Sequence, residues 1–497
     1  MSRQPIPAER PAPRPFTAGP HCLGAMIVVV AGVLIWLALR RHDAFWTARF
    51  DVGNMWQAVW NSAHGDPLLS TDPDGHQVSR LAGHVDPLLL LFAPLGWVTS
   101  SPAPLLVLQV VGVSFGALPM YALARRWHGE GAWPLAAAAA YLLSLPLAWT
   151  VLDEFHPVAF AAPLLVAVIW SIETRQDRLL ALFAVLAVLS KEEVGLALFV
   201  LGIWMAIRHH RPRAGALLSL SSLAWVAICF RLIIPHFNDG KGSKFVARYG
   251  DLGATVGEVV RHVITHPWEV VTVGLASDRL VLLALLALPL LLLPFNAPLL
   301  ALAAVPEIIL NGLADWQPQH SIEFHYVSVP AGILLPASIL GAANLRRRWG
   351  DRPWVRERIH LLPGVLVAAA ILAMIVRGPL PWFGGLSFAS ASRLVQYERV
   401  ANADALDRAV ARIPAGAVVS ATNNLGGHLS GRRKVLSFPV RDGAAYVVVD
   451  RLRPTIGFRT NPARFAFELA RLEADTSFVT VSDEQGVRIF KRLAGAP

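Results

Sequence analysis

Cysteine is nearly absent from this sequence: Cys22 and Cys229 are the only two in 497 residues, and both lie in or beside apolar runs. That count excludes a disulfide framework and a cysteine-built zinc site. Charge is also scarce, with Asp, Glu, Lys and Arg making up 16% of the chain against 55% hydrophobic residues and a mean hydropathy of +0.49. Such a balance excludes an ordinary soluble protein. The net charge of +10 would suit nucleic acid, but no basic stretch carries a recognition motif. Arginines gathered between apolar runs have a simpler cause, the retention of basic loops in the cytoplasm. A cleavage site is missing too, because "RRHDAFW" follows the first apolar run where small residues would be needed. Cys22 precedes that run, which excludes a lipoprotein signal, so the reading is an uncleaved first span. There is no internal repeat, and no low-complexity segment beyond the Pro/Arg-rich N-terminal tail, residues 1–23.

What the chain has is long apolar runs. Spans are expected at about 24–40, 104–124, 133–152, 157–173, 179–191, 193–208, 214–235, 279–294, 298–313, 326–345 and 359–377. Basic residues mark one side: Arg3, Arg10 and Arg14; Arg125 and Arg126; Arg175 and Arg178; Arg208, Arg211 and Arg213; and Arg346 to Arg348 with Arg352, Arg356 and Arg358. With about eleven spans these clusters fall on one face with the N-terminus, which the positive-inside rule makes cytoplasmic. Arg40 and Arg41 run against it, but they open a long first loop, residues 41–103, where the rule is weak.

The opposite face collects a different inventory. It receives Asp51, then "GHVDP", "DEFHP", "SKEEVG", the loop 236–278 and "EFHY". Acids, imidazoles and a lysine thus converge at one membrane face while the other holds mostly arginines. "PLLLLFAPLGWV", residues 87–98, is too short to span and reads as re-entrant or interfacial. The loop 236–278 is long enough to cover a cavity.

In "FDVGNMWQAVW", Val52, Met55, Trp56, Val59 and Trp60 recur at helical spacing with Asp51 and Asn54 opposite. Asp51 either solvates one face of an interfacial helix or, held at headgroup depth by Trp56 and Trp60, acts as a general base or cation ligand. His84 and Asp86 align only on extended backbone, which Pro87 favours; Asp86 is alternatively a helix cap. Lys191, Glu192 and Glu193 sit at a turn with almost no loop, so they meet either one another or a phosphate, sugar hydroxyls or a cation. Pro157 opens the next helix and makes Asp153 or Glu154 candidate caps, a reading that does not extend to His156. Lys244, Arg248 and Tyr249 form a basic-aromatic group suited to a diphosphate or a sugar face, and His325 and Tyr326 are either interface anchors or substrate contacts. After Arg377 the pattern becomes helix, strand and turn, with "AAYVVVD", "FVTVSD" and "VRIFKR" reading as strands, "PARFAFELARLEA" as a helix and "NNLGGH" as a turn. The fold class is therefore an all-α polytopic membrane protein, residues 24–378, with a small extracytoplasmic α/β domain, residues 379–497.

The motifs "FDVGNMWQAVWNSAHG", "GHVDPLLLLFAPL", "EFHPVAFAAPLL", "SKEEVGLALF", "PEIILN" and "HYVSVP", in that order, resemble the bacterial multi-pass family of domain of unknown function 2079. The resemblance covers about residues 45–345, and "SATNNLGGHLS" with "YVVVD" looks like tails in that family. The family is in turn similar to C-superfamily (GT-C) membrane glycosyltransferases, which take sugars from polyprenyl-phosphate donors and use an acid in the first outer loop. Carried over, that acid is Asp51. Many such enzymes have an acidic pair there, whereas Val52 follows Asp51 here, which favours a base-only mechanism. The resemblance thus implies a plasma-membrane transferase moving a sugar to a cell-envelope glycan, lipid or protein on the outer face. No cofactor is fixed, a magnesium or manganese ion being the candidate. A transporter or flippase of a lipid-linked or anionic precursor, or a non-enzymatic scaffold, are the alternatives.

Overall fold

The computed structural model describes residues 19–383, 395–457 and 459–495. Among the described residues seven helices are long and apolar enough to cross a membrane: Gly19–Asp43, Ala103–His128, Ala132–Leu152, Pro157–Thr174, Pro212–Phe237, His325–Trp349 and Val355–Arg377. Pro267–Gly274 and Ser277–Ala287, bent by 76°, would make an eighth. The remaining expected spans are shorter helices, Asp177–Val188, Val194–Arg208 and Pro298–Leu313. At 1.5 Å per residue they reach only about 18 to 24 Å, short of a ~30 Å hydrocarbon core. Prolines explain part of the shortening: Pro289, Pro294 and Pro298 interrupt the segment, and Leu291 and Leu292 take left-handed φ between them.

The spans divide by what covers them. His325–Trp349 is 89% buried within the protein, whereas Gly19–Asp43 and Val355–Arg377 are only 28% and 22% buried. The first is a protein-packed centre and the other two present apolar sides outward. Small residues let the helices close up. Added methyls at Gly332 and Gly202 would stand 2.8 Å from the Ala162 backbone and 2.6 Å from Gly215 O. At the arginine-rich end Arg126 and His209 both reach Glu173, at 3.2 and 3.4 Å. The other end joins Asp153 to His325 and Trp149 Nε1 to Arg377 O, and it carries the polar loops.

Those loops are ordered by protein packing. Helix Asn54–Ala63 lays its stripe on the 3₁₀ stretch Pro87–Trp97, where Gly96 meets Trp60 and Ala63. Trp56 is fully buried and donates Nε1–H to Ser100 O at 2.7 Å. It is thus a core residue and not the interfacial anchor that its spacing suggested, because the stretch 87–97 occupies the side expected to face lipid. A hairpin of β1 (Leu69–Thr71) and β2 (Gln77–Ser79) completes this layer.

The C-terminal domain is a five-stranded sheet of order β4-β3-β5-β9-β8. Strands β3 (Val419–Ala421), β4 (Val435–Ser437) and β5 (Tyr446–Asp450) are parallel; β8 (Phe478–Glu484) and β9 (Val487–Arg492) join antiparallel. A two-residue ribbon, β6 (Thr455–Ile456) with β7 (Arg459–Thr460), lies outside the sheet. One sheet face packs Leu406 and Ala409, the other Phe465 and Leu472. "NNLGGH" is a short helix, Asn423–His428, where a turn was expected.

Candidate active site

The segment carrying Asp51 is one π-helical turn, Arg49–Gly53, ahead of helix Asn54–Ala63. Glu154 fixes it. Its buried Oε2 accepts the Ala48 and Val52 amides at 3.0 and 3.1 Å, and its left-handed φ of 63° turns the chain between two spans. Burial, and then the charge of Asp51, push the Glu154 carboxyl up to about 7. Glu154 is therefore a loop anchor, neither a helix cap nor a cavity-lining group. Asp51 itself is half exposed, with Oδ1 3.5 Å from His156 Nε2. The surrounding walls push its carboxyl up, but the His156 bond and charge more than offset that and hold it below the usual carboxylate value. The His156 ring stacks on His325 with centroids 3.5 Å apart, and His325 places its backbone N–H and Nδ1 on Asp153 Oδ2 at 3.2 and 3.1 Å. Asp51, His156, His325 and Asp153 are thus a contiguous polar chain drawn from three segments.

The opposing wall rearranges the expected pairs. His84 does not pair with Asp86. It meets Glu192 Oε1 at 2.9 Å, while Glu192 Oε2 accepts the Val85 amide. Asp86 stands at a helix start without capping it and forms a two-oxygen pair with Arg80. Burial lowers the His84 imidazole well below its ordinary value, with Lys191 and Arg80 adding to it. Lys191 pairs with Glu193, as a self-satisfied turn would have it, and lies 5.4 Å over the Tyr326 ring. Burial disfavours its charge, but Glu193, Glu307 and Glu192 hold the ammonium well above the ordinary lysine value.

Between the walls is a cavity of about 480 Å³. Asp51, His156, His325 and Tyr326 line it together with His84, Asp86, Lys191, Lys244 and Arg248. Glu192 and Glu193 lie behind the wall as partners of His84 and Lys191. Tyr249 turns away to Gln319, and burial pushes its hydroxyl up to about 12. Lys244 and Arg248 form no ion pair among the described residues; Arg248 donates to Gln319 and the Tyr326 hydroxyl, at 3.2 and 3.3 Å, and faces the Phe245 ring. Sequence reasoning missed Arg80, Phe245 and Trp316 as lining residues and Glu307 as a buried carboxyl group. Of these only Glu307 left a signal, an acid inside the apolar "PEIILN".

A DUF2079 profile, described as predicted membrane protein, matches residues 41–454. The chain belongs to this family. No curated protein matches this DUF2079 chain. Its fold is shared with ArnT from Cupriavidus metallidurans bound to undecaprenyl phosphate, at TM-score 0.51 and 14% identity, over 96% of this chain and 99% of that one. The apo structure of the same ArnT aligns at TM-score 0.49 and 14% identity, over 95% and 98%. This ArnT-like fold is the polytopic all-α class with a small appended domain that the sequence pointed to.

The DUF2079 cavity also offers a metal-sized donor set. One donor atom each from Asp153, His156 and His325 lies within 4.8 Å of the others, and His156 Nδ1 is buried with no hydrogen-bond partner among the described residues. These residues fit a metal ion.

Proposed function

We propose that this protein moves a sugar from a polyprenyl-phosphate donor to a hydroxyl of a cell-envelope acceptor at the extracytoplasmic face. One observation carries the reading: a carboxylate, Asp51, and two cations that form no ion pair among the described residues, Lys244 and Arg248, line the same polar cavity. A carboxylate suits proton abstraction from a hydroxyl, and free cations suit a phosphate.

In this mechanism Asp51 takes the acceptor proton as the acceptor oxygen bonds to the anomeric carbon. The bond from that carbon to the phosphate oxygen breaks on the opposite face, giving inversion, and the phosphate leaves with the bonding pair. Lys244, Arg248 and Lys191 stabilise that charge, so no general acid is required. Trp316 supplies a flat apolar face for the sugar ring, while Phe245 stacks on His84 and carries Arg248. His84 and Asp86 shape the floor through Glu192 and Arg80.

Three further observations support the reading. ArnT, which shares the fold, is described with undecaprenyl phosphate bound. An apolar cavity of about 630 Å³ is lined by Leu88 and Phe160, close in sequence to the polar-cavity residues Asp86 and Pro157, and suits a prenyl tail. The arginine-rich helix ends gather at the far end of the bundle, which supports an outward-facing site. Two imidazoles with one carboxylate suit zinc better than the magnesium or manganese expected earlier, which prefer oxygen donors. A zinc ion held by Asp153, His156 and His325 would supply positive charge beside Asp51. Purified protein is then expected to carry stoichiometric zinc by elemental mass spectrometry, lost in His325→Ala; metal-free wild type would remove the ion from the scheme.

The function is tested by incubating purified protein with a panel of polyprenyl-phosphate sugars. One donor should be consumed with release of free polyprenyl phosphate. Arg248→Ala should raise the KM for that donor about tenfold or more, the worth of one hydrogen bond to a charged group. Failure to consume any donor in the presence of envelope acceptors would sink the proposal.

A further inference from the structure

We infer that the C-terminal domain is the clamp that sets the position of Asp51, with Arg49 as the positioning residue. The catalytic half of this inference rests on the function proposed above; the clamp does not. In open sheets with parallel strands the carboxyl strand ends usually bind a ligand. Here the end of β3 and the edge of β4 are covered by the chain's own residues 45–53. The Arg49 side chain is buried, its Nε and Nη2 donating to Val435 O at 3.1 and 2.7 Å and its Nη1 to Ser437 Oγ at 2.7 Å. Nη2 also reaches Thr71 O at 2.8 Å, and the Arg49 amide donates to Asn423 Oδ1 at 3.0 Å.

All three guanidinium nitrogens are thus hydrogen-bonded within the protein, which fixes the side chain in one geometry. Burial lowers the guanidinium to about 10, which leaves it charged at neutral pH. On the other side of Asp51, a methyl added at Gly53 would come 3.1 Å from Gly427 Cα, and one at Gly426 2.7 Å from the Arg49 side chain. The two segments meet so closely that a side chain at either glycine would press its neighbour aside. Residues two before and two after Asp51 are thus both seated on "NNLGGH" and β4. His428 adds a tilted ring contact with Phe45 at 4.1 Å, and Arg453 donates to Phe45 O at 2.6 Å. The family match, which runs unbroken from 41 to 454, takes in both partners.

The test uses the full-length protein with Arg49→Ala and the milder Ser437→Ala, each followed by amide hydrogen exchange and by donor turnover. Exchange at residues 47–53 should quicken at least tenfold in Arg49→Ala and less in Ser437→Ala, while peptides from His325–Trp349 keep their wild-type rate. The kcat should fall at least tenfold with donor KM within about twofold. Unchanged exchange at 47–53 in both variants overturns the clamp. So does equal acceleration across the bundle in Ser437→Ala, which would report general unfolding. Localised acceleration with undiminished kcat overturns the positioning role. Because exchange needs no substrate, localised acceleration in a protein that consumes no donor would uphold the clamp and reject the transferase reading.

Discussion

Asn at position 51 is expected to lower turnover by about 10²–10⁴, the range of a lost general base, while leaving the fold and donor affinity in place. Asparagine has the shape of aspartate but cannot take up a proton from an acceptor hydroxyl. The side chain is half exposed, and its close polar neighbour is His156 Nε2 at 3.5 Å, a contact that an amide oxygen can also accept. The segment is held through the Ala48 and Val52 amides and Arg49, none of which is altered. The substitution therefore separates chemistry from architecture. Measured under saturating donor, turnover within tenfold of wild type would take Asp51 out of the mechanism, and a large fall in unfolding midpoint would reclassify it as structural.

Glu154→Ala should do the reverse and act first on stability. The carboxylate is buried, accepts two backbone amides, and stands 3.8 Å from the Arg41 guanidinium. Truncation leaves both amides without an acceptor and Arg41 without its countercharge. Removing one partner of a buried pair costs about 3–5 kcal/mol, and each unsatisfied amide about 1–3 kcal/mol by itself. Glu154→Gln keeps an acceptor oxygen and should recover most of the loss. Thermal unfolding in detergent, read for both variants, decides between them. If the alanine variant melts with wild type, Glu154 is not the anchor of the 48–52 turn.

Much of the cavity could be read before any fold was known, for a reason specific to membranes. Charged side chains are costly in lipid, so "HVD", "EFH", "KEE" and "HY" at span ends had to seek water or one another. Asp51, His84, His156, Lys191 and His325 do meet across one space. Their pairings could not be read, because partners come from distant segments. His84 chooses Glu192 over Asp86, and Asp86 chooses an arginine six residues earlier that no motif marked. Trp56 and Trp60 gave the right helix but not its neighbour, since the covering stretch 87–97 is as apolar as lipid. Several expected spans are shorter helices than the sequence suggested, because prolines and charged turns divide apolar sequence into pieces that hydropathy alone joins. "NNLGGH" read as a turn because two adjacent glycines usually signal one; their use for close packing against Gly53 is visible only in three dimensions.

The seating of Arg49 has an evolutionary consequence. Three of the five hydrogen bonds of its side chain go to the appended domain, so a descendant that shed the appendix would inherit a poorly supported positive charge. Loss of the tail and replacement at position 49 should accordingly occur in the same lineages, leaving a paired signature that genome comparison can recover without a single assay.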